Sequence, residues 1–286
     1  MDLNHPSSLD FPDPSAAEWV DPVEERIRLR RRLRRLGLGF STLGLALLIA
    51  SLTTIGWLVL LFSGRPQPLG AVFGIPHWDL YEQSATVWGS LTGVALLWGR
   101  WPDRNWQRRS GLLLLMLLVD VALWSMEHAT ELGLSEVKMG HEWFRHSLTN
   151  AINWSEMALI AGLAAEMASN LGEPRAIEFG KASRSLSTTG AMLWFTFFYF
   201  QTDWSPPFWP LRERPLNPGS IMLLLGWLVL VAINFVQVTA LSLLAGRSCG
   251  RVLREMIAED RRKDLFPSRS EAGWDEFTRS DPHRGA

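Results

Sequence analysis

The run Leu112-Leu113-Leu114-Leu115-Met116-Leu117-Leu118-Val119 is followed at once by Asp120, and then by Glu127, His128, Glu131, His141, Glu142, His146 and Glu156. Eight consecutive apolar residues belong in lipid or in a protein core. The acids and histidines that follow continue the same segment where hydrocarbon is still expected. An ionised side chain within a bilayer costs a few kcal/mol or more unless it is paired or wetted, so groups of this kind are functional candidates.

Outward from this stretch, the chain of 286 residues is 47% hydrophobic and 20% charged. The charges are bunched into short intervals, and the apolar segments between them are long enough to cross a hydrocarbon core, which takes roughly 20 helical residues. The expected fold is all-α: a polytopic integral membrane protein with a six-helix transmembrane bundle and short loops. The expected spans are Leu38 to Phe62, Leu80 to Trp98, Gly111 to Leu132, Ser147 to Ala168, Leu186 to Gln201 and Ile221 to Ala245.

Three regions follow from that pattern. Residues 1–36 join a Pro-rich acidic tail to a basic arm containing Arg26, Arg28, Arg30, Arg31, Arg32, Arg34 and Arg35. Residues 37–246 hold the spans. Residues 247–286 carry an amphipathic stretch around Val252, Leu253, Met256 and Ile257, expected to lie along the membrane surface, and then a disordered tail. The first 25 residues have no apolar core, so the first span is expected to be an uncleaved anchor.

Counting Lys and Arg on alternate sides of the six spans, with the C-terminal tail taken as far as Lys263, gives twenty against five. The richer side holds both termini, which places them in the cytoplasm, with a bacterial cytoplasmic (inner) membrane as the expected home. The arginine run abuts an apolar segment, so it reads as a contact with anionic headgroups rather than with nucleic acid. Many Trp and Tyr at span ends, Trp78, Tyr81, Trp98, Trp101, Trp106 and Trp143 among them, suit an interfacial belt. Gly89 and Gly93 offer a small-xxx-small face for close helix contact.

The single cysteine, Cys249, excludes an internal disulfide framework and a cysteine-based metal site. No P-loop, Gly-rich nucleotide fingerprint or G-x-S-x-G element occurs. The cluster also lacks the motifs of intramembrane proteases and the paired in-span histidines of b-type cytochromes.

On a helical wheel Asp120, Trp124, Glu127 and Glu131 follow steps of four, three and four, and so share one face. Glu142, His146, Thr149, Asn153 and Glu156 do the same on the next span, and the face continues as Ile160, Leu163 and Met167. Consecutive helices pack as antiparallel neighbours, so the two stripes are expected to form a recess open to the outside.

Three functions compete for it. In the first, Asp120 and Glu156 relay protons or hold a cation or small polar solute at depth, guided by Glu127, His128 and His146, with Asn153, Asn234 and Gln237 available from other faces. In the second, Glu127, His128, Glu142, His146 and Glu156 ligate a divalent metal or haem in a membrane enzyme, because carboxylate with imidazole suits zinc, iron and manganese. The spacing Glu142-x-x-x-His146 differs from the Glu-x-x-His pairs of di-iron bundles. In the third, the chain is a non-catalytic membrane subunit, or a homo-oligomer, and the polar groups hold helices in register. His77, beside Asp79 and Glu82, reads as an interfacial turn above the recess.

Overall fold

In lipid every backbone N–H and C=O must be satisfied within the segment, so an apolar run of this length folds as helix. The computed structural model describes residues 22–63, 70, 74–75, 77–99, 101, 103–127, 142–200 and 218–265. Six helices account for most of them: α1 (Pro22–Phe62), α2 (Trp78–Leu97), α3 (Arg104–Glu127), α4 (Glu142–Asn170), α5 (Ala176–Phe200) and α6 (Pro218–Leu265). Three of these, α1, α3 and α6, are long and apolar enough to cross a membrane. Their outward side chains are apolar as well, including Leu45, Leu52 and Val59 on α1, Leu115 and Leu118 on α3, and Val229 and Ile233 on α6. Apolar faces of that extent are stable against hydrocarbon and not against water. The chain has the make-up of a membrane protein.

Side-chain contacts fix the directions of the helices. Along α1, Gly37 meets Cys249, Gly44 meets Leu243 and Ser51 meets Thr239, so α6 runs antiparallel to α1. Gly39 against Gly93 and Gly89 against Ala46 set α2 antiparallel to α1. Gly180 against Ala165 and Gly190 against Trp154 set α5 antiparallel to α4. Neighbouring contacts run α1–α2–α3–α4–α6 and back to α1, while α5 packs outside this ring on α4 and α6.

Small residues bring the backbones together. A Cβ on Gly93 would lie 2.9 Å from the Gly39 carbonyl oxygen and from Leu43 Cβ, and one on Gly89 would lie 2.8 Å from Ala46 Cβ. The Gly89/Gly93 face therefore does seat α2 on α1. At the start of α3, Asp103 accepts hydrogen bonds from the backbone N–H groups of Asn105 and Trp106 at 3.1 and 3.2 Å, satisfying donors that the first turn leaves open. At the end of α4, Gly172 takes φ 95° and the Glu173 N–H bonds the Ala168 carbonyl at 3.0 Å. That left-handed position favours glycine and turns the chain directly into α5.

Two expectations change here. The stretch from Val252 to Ile257 does not leave the bundle to lie flat, because α6 continues without a break to Leu265. Val252 and Met256 pack against the core. The basic arm of α1 is its partner: Arg26 pairs with Glu259 at 2.6 Å and with Asp260 at 3.1 Å, and Arg30 pairs with Asp260. At 1.5 Å per residue, the 41 residues of α1 reach about 60 Å, roughly twice a hydrocarbon core. Beyond the core cluster, the first turns of α1 and the last turns of α6 pair as a short two-helix stalk. Part of the arginine run is thus neutralised within the protein, while Arg31, Arg32, Arg34 and Arg35 stay exposed. Cysteines placed at positions 26 and 259 in a Cys249→Ser background should be joined within one chain by a short bis-maleimide, which spans the gap that the two long side chains of the ion pair bridge. A basic arm that merely coats headgroups would leave them free.

Trp106 also departs from the interfacial belt. It is fully buried, edge-on to Phe40 with ring centroids 6.3 Å apart and tilted against Trp101. The cap at Asp103 turns that first turn of α3 inward. Cys249 is likewise sealed, its Cβ 3.2 Å from where a Gly37 side chain would begin. A maleimide should therefore leave the folded protein unlabelled and modify one thiol per chain in SDS; rapid labelling of the native protein would contradict the α1–α6 packing.

Candidate functional site

Inside the five-helix ring lies a cavity of about 370 Å³. α3 contributes Leu117, Asp120 and Trp124 to its wall, and α4 contributes Thr149, Asn153, Glu156, Met157 and Ile160. These are the wheel faces read from the sequence, and they meet across one space. α2 adds a third polar face, Glu82, Gln83, Thr86 and Ser90, with Val87. Leu47, Ala50 and Thr54 of α1 and Phe235 of α6 complete the wall.

Sequence reasoning assigned nothing to α2 in the recess. The signal was present, because Glu82, Thr86 and Ser90 recur every four residues and so lie along one side of a helix. It was hidden by the uncharged character of two of the three.

Asp120 is 8% exposed and Glu156 6%. Both side chains line the same cavity. Glu156 Oε1 is buried and has no hydrogen-bond partner among the described residues. A buried polar atom of that kind is uncommon in a native structure and calls for a functional or ligand-based reason. A buried carboxylate is costly in so low a dielectric unless a proton or a cation balances it.

Toward the basic end of the bundle the cavity has a floor. Leu43, Val94, Leu113, Leu163 and Val238, one from each helix of the ring, are completely buried just past the lining residues. They leave no polar path onward among the described residues. In the other direction Asp120 is seven residues from the end of α3, about 10 Å along the helix. The cavity therefore sits in the half of the bundle away from the stalk.

Asn234 and Gln237, expected as relay groups, do not line the cavity. Asn234 is fully buried in a knot behind it. Its Oδ1 accepts from Ser183 Oγ at 2.8 Å, and its Nδ2 reaches Ser187 Oγ at 2.9 Å and Met157 Sδ at 3.1 Å. Bonds of this kind tie α5 and α6 to α4, and Met157 is the side chain that separates them from the space in front. Glu166 of α4 pairs with Arg109 of α3 at 2.5 Å. His77 takes φ 57° at the start of α2 and is exposed, away from the cavity wall.

Of the metal candidates, Glu156 alone has a described side chain. His128 lies outside the described residues, and so do the side chains of Glu127, Glu142 and His146. Among the described residues no three His, Cys, Asp or Glu come together in a way that would hold a metal ion. No family model, curated protein or solved structure matches this chain.

Proposed function

We propose that the protein is a six-span protein of a bacterial cytoplasmic membrane, both termini inside, that binds a proton, cation or small polar solute in this cavity as a step in its translocation. The single observation that carries the reading is Glu156, whose Oε1 is buried without a partner among the described residues and which lines one cavity in the bundle with Asp120. Such an intramembrane acid marks a substrate or ion path by default.

The number of spans has a physical rationale. α2 and α4, with 20 and 29 residues, are long enough to cross. The polar groups that lower their apolar character include Glu82, Thr86 and Ser90 on one and Thr149, Asn153 and Glu156 on the other, and these face the cavity instead of lipid. α5 alternates in direction with its neighbours as a fifth span requires. The excess of Lys and Arg, twenty against five, favours the stalk end as the inner side. The floor then closes the cavity inward, as one state of an alternating path would.

Proton and monovalent-cation flux into proteoliposomes tests this. Flux should fall at least tenfold in Asp120→Asn and in Glu156→Gln. Unchanged flux in either variant would remove that carboxyl from the path.

A further inference from the structure

We infer that the occupant of the cavity is a small organic ammonium ion carrying one or two amino groups. This rests on the recess reading above and names its ligand. Charge sets the sign. Three carboxyls, Glu82, Asp120 and Glu156, arrive from three different helices, and no Lys, Arg or His occurs among the described residues of the wall. Glu156 offers a buried oxygen with no partner among the described residues.

Distribution and size then separate an organic cation from a bare ion. A metal ion needs its oxygen ligands within about 2.0–2.6 Å of one point, whereas the acids among the described residues do not gather into such a set. They are spread around about 370 Å³, which falls within the roughly 300–1,000 Å³ of small-molecule pockets and far exceeds what a proton requires. An ammonium group can meet one carboxyl while its carbon stem occupies the rest of the space. The remaining wall fits that division. The Thr86, Ser90 and Asn153 side chains can accept N–H bonds, and the Trp124 and Phe235 rings supply apolar area and the electron-rich faces that attract ammonium ions.

Isothermal titration of the detergent-purified full chain decides it, with n-butylammonium and 1,4-diaminobutane as probes, 1,4-butanediol as the neutral match, and zinc and calcium as competing cations. At least one amine should bind saturably, the diol should not, and Glu156→Gln and Asp120→Asn should each weaken the amine at least tenfold while remaining monodisperse. Equal binding of diol and amine would overturn the inference, since charge would then not be recognised. Silent amines beside Glu156-dependent flux of protons or metal ions would overturn it and leave the proposed function standing. Silent amines beside flux that Glu156→Gln does not alter would remove both.

Discussion

Glu156→Met is expected to melt about 2–6 °C above the parent protein in detergent while losing carboxyl-dependent flux. The sign follows from the site. A polar atom buried without a partner costs about 1–3 kcal/mol by mutational measures, and a second carboxyl nearby adds to that cost. Methionine has a similar length, no charge and the flexibility to fill an irregular space. Replacing buried charges by apolar groups of like volume is often neutral or stabilising, and about 1 kcal/mol shifts a melting temperature by about 2–4 °C at 150–250 residues. A gain in stability with a loss of function is the mark of a group kept for its chemistry. A clear fall in melting temperature would instead show that Glu156 holds the helices together, and the reading of the cavity as a binding site would lose its support.

The second large effect lies where α4 meets α5. Gly190→Val should lower stability by about 3 kcal/mol, toward the upper part of the range for overpacking. A Cβ at Gly190 would collide with the Cη2 and Cζ2 atoms of Trp154. The indole cannot swing clear. Trp154 is itself buried and sits edge-on to Trp227, 6.3 Å away, which in turn lies 4.8 Å from Trp194. Even Gly190→Ala should destabilise, and Trp154→Phe in the same chain should recover much of the loss, because it withdraws the ring atoms in collision. A double-mutant cycle measures that coupling. Trp154 is two residues from Glu156, so the same clash should also disturb ligand binding. A Gly190→Val protein as stable as the parent would refute the contact.

The helices and the two facing stripes were legible because their causes are local. Asp120 and Trp124, and Thr149, Asn153 and Glu156, fall at helical steps, and the chain between the two spans is short. What stayed hidden depends on distant partners. Arg26 finds Glu259 across 233 positions of sequence, and no window of residues announces that. Trp106 had the residue type and the location of an interfacial anchor, and contacts with partners such as Phe40, remote in sequence, bury it. α2 was read as a plain span because polar residues there are single and widely set. The count of six spans was read from segments that are apolar only on average. Three helices pass a strict test of length and apolar character, and α2 and α4 fall short in part because their inward faces are polar.

Both helices of the stalk also build the wall of the cavity, α1 through Thr54 and α6 through Phe235. Between Arg26 and Thr54 there are 28 residues of uninterrupted helix, about 40 Å. The paired rods make a stiff lever whose far arm projects beyond the bundle. A force applied to that arm is therefore carried by the same two helices that help to wall the chamber.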